Sequence, residues 1–352
     1  MSVGGSAEVV DRRTDEEGSL VEGLDAVLFD LDGVIYRGPE LVPGADDAVG
    51  RLRAAGKQAL FVTNNAARTP DAVAAHLTEI GVRAVGSDVV TSAQAAAKLL
   101  ASRVAPGSKV LVAGSAHLRE EVTANGLQVV AAAAEEPVAA VQGYTPDLTM
   151  AQLAEVAYAV QDGALWVATN TDPTRPTESG LAPGAGTMVD AVATTLPGRF
   201  PEVAGKPEPA LLAETLERVG SDRAVFVGDR LDTDIAGAHS VSIPGVLVLT
   251  GSHGKADLVA APPAQRPAQV IADLGGLFAP AREAVGDHHR VQVNAVTAVI
   301  DGDTVTLDGP LEGTAEQLDA LWALLSLVWA RTDAGLPVPD TDRMLAGLDQ
   351  IH

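Results

Sequence analysis

The chain reads as an α/β protein, a Rossmann-like doubly wound parallel-sheet core with an inserted α/β cap domain and a small C-terminal β-hairpin–helix extension. Three observations predict this. Short apolar runs alternate with alanine-rich helical stretches through most of the 352 residues, the pattern of a parallel sheet covered by helices. Several of those runs stop abruptly in small polar or acidic clusters, which in open α/β sheets gather at the carboxyl edge where ligands bind. Composition then shifts twice, at a Pro-rich stretch (260–267) and at a charged one (280–290). Beyond the second shift the alternation gives way to a hairpin and a helix.

The strand-length runs are 26–29, 58–62, 110–113, 138–142, 165–168, 224–227 and 245–249, and the intervening helical segments include 43–55, 70–80, 92–101 and 209–219. Past the linker, 291–307 reads as a hairpin around Asp301-Gly302, a strong turn dipeptide between β-rich flanks. Thr314 and Gln317 have capping-box spacing. Leu318, Leu321, Trp322, Leu325, Val328 and Trp329 then form an apolar stripe. A module this small cannot bury a full core alone, so it is expected to dock on the rest of the chain or on a second subunit. A homodimer therefore stays open. The His288-His289 pair lies in the linker and reads as solvated.

Length allows two domains and a smaller third. With 47% apolar and 20% charged residues, a proper core can form. The formal net charge of −23 and the lack of any Lys/Arg cluster oppose a nucleic-acid partner, which needs a basic stripe. One lysine and a metal ion can still reverse the field locally for a small phosphorylated substrate. Absence of cysteine excludes disulfides, zinc–thiolate sites and thiol nucleophiles. The first two dozen residues carry no apolar signal core, and the 318–330 run is too short to span a bilayer. No membrane insertion is expected, and a cytoplasmic protein is the default.

Four strand ends carry the chemistry. Val27-Leu28-Phe29 runs into Asp30-Leu31-Asp32-Gly33, two carboxylates spaced i, i+2 before a glycine. Such a pair suits a hard cation and a phosphate group. Leu60-Phe61-Val62 ends in Thr63-Asn64-Asn65, offering a hydroxyl, amides and backbone N–H groups to an anion. Gly205-Lys206-Pro207 presents one lysine ahead of a helix. Val225-Phe226-Val227-Gly228 leads to Asp229 and Asp234, with Asp232 between them as a solvated loop acid.

In this order the four motifs resemble those of the haloacid dehalogenase superfamily of aspartate-nucleophile phosphatases. The hundred or so extra residues between Thr63 and Lys206 resemble the large α/β cap of its class IIA, as do Gly143-Tyr144, 168–172 and 183–186. That class includes p-nitrophenylphosphatases and phosphoglycolate, glycerol-phosphate and nucleotide phosphatases. The resemblance covers roughly residues 24–279 and implies a core at 24–90 and 197–280 and a cap at 91–196; the polar stretch 1–23 reads as a disordered tail, and 286–352 is an extension outside the family pattern.

It also implies roles. Asp30 is the expected nucleophile and Asp32 the general acid and base. Thr63, Asn64, Asn65 and Lys206 bind the phosphoryl group. Mg²⁺ is the expected cofactor, held by Asp30, the backbone carbonyl of Asp32, Asp229 and Asp234, and cap residues Asn170 and Asp172 are expected to face the substrate. The acid at position 32 favours phosphatase or phosphomutase chemistry over dehalogenase or ion-pump chemistry, and the large cap favours a hydrolase. A receiver-type signalling module is excluded by length and by the placing of its acidic pair; a non-catalytic relative is disfavoured by the intact motifs. The Ala-rich, acidic, cysteine-free composition has an actinobacterial character. It leans the expectation toward glycerol 3-phosphate, ahead of phosphoglycolate, UMP and pyridoxal phosphate. The extension has no Gly-rich acetyl-CoA loop and is expected to do no chemistry.

Overall fold

The computed structural model describes residues 18–177 and 179–351. Its centre is a six-stranded parallel sheet in the order Gln269–Ile271, Gly245–Val248, Ala224–Gly228, Ala26–Phe29, Gln58–Thr63, Val89–Thr91. The first strand lies inside the sheet, so the chain winds out in both directions from it, as a doubly wound sheet requires. Strand Ala26–Phe29 is buried on both faces, which accounts for its unbroken apolar run. Helices Ala45–Ala54 and Pro70–Glu79 cover one face through Leu52, Val73 and Leu77. Helices Ser92–Arg103 and Pro209–Val219 cover the other through Leu100, Leu211 and Leu212. The register pairs Phe29 with both Val227 and Phe61. It therefore delivers the residues that follow each strand to one edge.

The cap is a second parallel sheet, ordered Glu202–Val203, Leu165–Ala168, Ala139–Gln142, Lys109–Ala113, Gln128–Val130. An antiparallel hairpin, Thr174–Thr177 with Gly180–Pro183, projects from it. Glu202 and Val203 pair with Val167 and Ala168, so the cap sheet extends past the crossing expected at 197. A two-residue edge strand has too little periodicity to register in the sequence. The apolar cluster between the domains is continuous, joining Leu28 and Leu100 to Val112, Val141 and Val167.

Three expectations for the ends of the chain are corrected. Residues 18–23 are not disordered: Leu20 N–H donates to Ala279 O at 2.9 Å and Val21 is fully buried. The rest of the expected tail, 1–17, lies outside the described residues. The extension is a four-stranded antiparallel meander (Val285–Gly286, Arg290–Val293, Val296–Asp301, Thr304–Asp308), not a single hairpin. Of its two additional turns, 287–289 and 294–295, the second is carried by Asn294 at φ 49°, a residue tolerant of the left-handed region. Helix Thr314–Asp333 is capped by Gly313 without a side-chain bond. Gln317 instead donates to Leu311 O and to Asp349 Oδ1, both at 3.0 Å, and accepts from Gln350 N at 2.8 Å. The helix is buried well beyond one stripe because it lies between the meander and the core sheet, packing with Leu247, Leu258 and Val270. Docking on the core, one of the two expected outcomes, is therefore observed. Among the described residues no helix is long and apolar enough to cross a membrane.

Candidate active site

Asp30 follows the central strand, its N–H donating to Val227 O at 2.9 Å. Asp229 follows the neighbouring strand, and Asp234 lies in a single π-turn, Leu231–Ile235, a distortion common at functional sites. One oxygen from each of these three carboxylates lies within 4.8 Å of the others. Lys206, 2% exposed, reaches into the group, donating to Asp30 Oδ1 at 2.7 Å and Asp234 Oδ1 at 2.8 Å. Asp234 Oδ2 accepts from the backbone N–H groups of Asp229 and Arg230, both at 3.1 Å. Asp229 Oδ2 accepts from Ser252 N at 2.7 Å.

Close packing supports this arrangement. A Cβ at Gly33 (φ 82°) would lie 2.4 Å from Asp229 Oδ2 and 3.0 Å from Gly251 Cα. Only glycine lets the first loop approach the acid so closely. The whole cluster lines a cavity of about 520 Å³ between core and cap.

The charge balance is uneven, with three buried or half-buried carboxylates against one lysine. Burial raises the Asp30 carboxyl well above the ordinary range; Lys206 opposes this while Asp234 and Asp229 reinforce it. Asp229 is pushed up to about 6 by burial and then by Asp234. Burial works against the charge of Lys206, but Asp234 and Asp30 outweigh it and hold the ammonium above its usual range. Asp229 Oδ1 is buried and has no hydrogen-bond partner. An unpartnered carboxylate oxygen beside two further acids is the donor set for a hard divalent cation.

Two family models match this chain, haloacid dehalogenase-like hydrolase over residues 27–128 and HAD-like hydrolase over 203–277. D-glycerol 3-phosphate phosphatase of Mycobacterium tuberculosis is 44% identical over 323 residues, covering 90% of this chain and 89% of that protein. The chain belongs to the haloacid dehalogenase-like hydrolases.

Chronophin of Rattus norvegicus is 36% identical to this HAD-like hydrolase over 277 residues, 72% of this chain and 89% of that one. Among solved structures, a glycerol phosphate phosphatase of M. tuberculosis in complex with magnesium matches at TM-score 0.84 and 41% identity, covering 95% of this chain and 99% of that one. A p-nitrophenyl phosphatase of Archaeoglobus fulgidus matches at TM-score 0.66 and 28% identity, with coverage of 72% and 98%. About a quarter of the HAD-like hydrolase described here thus has no counterpart in that smaller enzyme.

The remaining sequence-predicted residues divide into two groups. Thr63 lines the cavity, its Oγ1 accepting from Asn65 N at 3.1 Å. Asp32 stands outside the three-carboxylate cluster but on the same cavity wall. The residue as a whole is exposed, yet protein crowding around its carboxyl raises the pKa, against the pull of Arg68.

Asn64 is not available to a phosphate through its side chain. Its Nδ2 donates to the Asp172 carboxylate (3.2 and 3.4 Å) and to Lys206 O (3.1 Å), and its Oδ1 accepts from Lys206 N at 2.8 Å. Asn65 Oδ1 is likewise occupied, accepting from Ala67 N and Arg68 N as a turn former. Asn170 is 5% exposed and donates to Asn64 O at 2.7 Å, while its Oδ1 accepts from Asp172 N. Asn64, Asn170 and Asp172 therefore form a polar joint between cap and core, and of the two cap residues expected to face substrate only Asp172 has a half-exposed side chain. Gly205 sits inside the joint, where a Cβ would lie 2.7 Å from both Asn64 Oδ1 and Thr169 O. Asp232 is not simply solvated: Arg230 grips it with two bonds at 3.1 and 2.8 Å.

Sequence reading missed Arg175. It stands on the cap hairpin, lines the cavity, lies 4.5 Å above the Tyr144 ring, and has a buried Nε without a partner. A lone arginine in a turn-rich stretch gives no local signal; only the hairpin's return over the site brings it there.

Proposed function

We propose that this HAD-like hydrolase is a Mg²⁺-dependent phosphomonoesterase whose substrate is glycerol 3-phosphate, released as glycerol and inorganic phosphate. The buried group of Asp30, Asp229, Asp234 and Lys206 carries the reading. The substrate choice is supported by the 44% identical relative, whose name is D-glycerol 3-phosphate phosphatase. Asp30, Asp229 and Asp234 would hold Mg²⁺. When bound, the ion supplies positive charge that lets an anionic carboxylate approach an anionic phosphate.

Asp30 is the nucleophile. Its free oxygen attacks phosphorus, forming a P–O bond to the carboxylate as the ester P–O bond breaks. Asp32, whose carboxyl burial raises above the ordinary range, protonates the departing alkoxide. It then takes a proton from the water that cleaves the aspartyl-phosphate, returning free Asp30 and phosphate. Lys206 fixes Asp30 and supplies positive charge where the transferring phosphoryl group becomes most negative. Thr63 donates its hydroxyl to a phosphoryl oxygen.

Asp30→Asn tests the chemistry: turnover is lost while the fold persists, and retained activity removes Asp30 as nucleophile. A second reading, phosphoglycolate, is favoured by Arg175, whose free Nε suits a carboxylate. A panel of glycerol 3-phosphate, phosphoglycolate, UMP and pyridoxal phosphate decides, and a phosphoglycolate kcat/KM higher by orders of magnitude rejects glycerol 3-phosphate. A cytoplasmic site of action and a homodimer accompany the proposal and are checked by cell fractionation and light scattering.

A further inference from the structure

The metal-facing loops have a second side, and the C-terminal module covers it. Ser252 N–H binds the Asp229 carboxylate, His253 N–H donates to Asp229 O at 3.1 Å, and His253 Nδ1 accepts from Leu231 N at 2.8 Å. Thr250 Oγ1 donates to Gly33 O at 2.7 Å, tying the same loop to the one that carries Asp32. This loop leads at once into the short helix Lys255–Ala260.

Contacts from the C-terminal module end on that helix. Lys255 Nζ donates to the carbonyls of Leu348 and Ile351, the latter at 2.6 Å. Trp329 Nε1 donates to Leu258 O at 3.0 Å in a buried contact. Leu231 and Ile235, the two ends of the turn that carries Asp234, belong to the same apolar cluster as the module's buried residues. The loop that binds Asp229 is thus backed through Lys255 and Leu258 by the C-terminal module, and the turn that carries Asp234 shares the module's apolar cluster.

We infer that the C-terminal module sets the affinity of the metal site, with Lys255 and Trp329 as positioning residues that act through the 250–254 loop on Asp229. This rests on the metal-site reading above. The physical reason is that a carboxylate ligand binds in proportion to how well its backbone is already ordered. A loop that must be ordered at binding charges that entropy against the cation, and outer partners that pre-order ligands control metal affinity.

The test uses the full chain with Lys255→Met and Trp329→Phe. Lys255→Arg serves as rescue, and Lys98→Met as a control that removes a lysine contact elsewhere, between Lys98 and Glu214 and Glu217. Mg²⁺ affinity is measured by isothermal titration calorimetry. In parallel, the Mg²⁺ dependence of p-nitrophenyl phosphate hydrolysis and the thermal midpoint are recorded. Lys255→Met and Trp329→Phe should weaken Mg²⁺ binding by roughly tenfold, the low end for loss of an outer-shell partner. The kcat at saturating Mg²⁺ should stay within about twofold, because the ligands themselves are intact. Lys255→Arg should recover most of the affinity and Lys98→Met should lose none. If Lys255→Met does not fold, Trp329→Phe, which keeps an aromatic ring but removes the Nε1 donor, decides alone. Unchanged Mg²⁺ affinity with a lowered thermal midpoint makes the module a purely structural support and overturns the inference. A wild-type protein that takes up no Mg²⁺ overturns the metal-site reading itself.

Discussion

Replacing Asn64 by alanine separates a phosphate-binding role from a joint-forming one. The side chain makes three kinds of contact, to the Asp172 carboxylate, to Lys206 O and from Lys206 N. Alanine leaves the Lys206 N–H unpaired inside the protein, at about 1–3 kcal/mol, and removes a hydrogen bond to a carboxylate of about 1.5–3 kcal/mol. Because Asp172 is half exposed and rehydrates in part, the joint loses roughly 2–4 kcal/mol in total. That energy fixes the backbone from which Lys206 reaches Asp30, and a misplacement of about 1 Å in a catalytic group costs on the order of 100-fold. Steady-state kinetics with glycerol 3-phosphate and with p-nitrophenyl phosphate should show kcat reduced by ~10²-fold and KM changed by less than about threefold. Asn64→Asp, which keeps the volume but sets a second carboxylate beside Asp172, should be worse. A variant with normal kcat and a KM raised tenfold or so would mean that Asn64 binds phosphate in the ground state, refuting the joint.

Asp32→Asn should lower kcat by ~10²–10⁴-fold for glycerol 3-phosphate and by less for p-nitrophenyl phosphate, whose leaving group needs little protonation; equal losses for both substrates would deny Asp32 the general-acid role. Arg175→Ala should raise KM about tenfold for the true substrate through loss of a charged hydrogen bond, and an unchanged KM would remove the cap hairpin from substrate binding. His117 is buried near Thr91 Oγ1 (3.3 Å), and burial lowers its pKa below 6.5, more than Glu120 raises it; the 3.8 Å contact with Glu121 does not reverse this. Its folded value lies below its unfolded one, so the stability present at neutral pH is lost as pH falls from 6.5 through the folded value. Urea unfolding should therefore lose more stability between about pH 7.5 and about pH 5.5 in wild type than in His117→Asn, and parallel curves would show that His117 does not titrate in this range.

Much of the protein was legible from local pattern. The unbroken apolar strands, the helix start at Pro70 and the acids after residues 29 and 228 are short-range signals, because burial on both faces and strand-end chemistry act over a few residues. They located the sheet and the strand ends carrying Asp30, Asp32, Thr63, Lys206, Asp229 and Asp234, which line one cavity. The extra meander turn at Asn294 and the edge strand at Glu202 were not legible, since each depends on a partner strand rather than on its own periodicity.

What the sequence alone supplied, through the order of its strand ends and their resemblance to a family, was the set of residues that line one cavity. What only the tertiary structure decided was the division of labour among the polar residues around it. Asn64, Asn170 and Asp172 looked like ligands for substrate, and an amide side chain has no local preference between a phosphate and a neighbouring backbone. The return of the cap through Gly205 supplied that backbone. The same holds for the C-terminal module: its apolar helix announced that it must be covered, but only the packing of Trp329 and Lys255 on the Asp229 loop gave the covering a consequence.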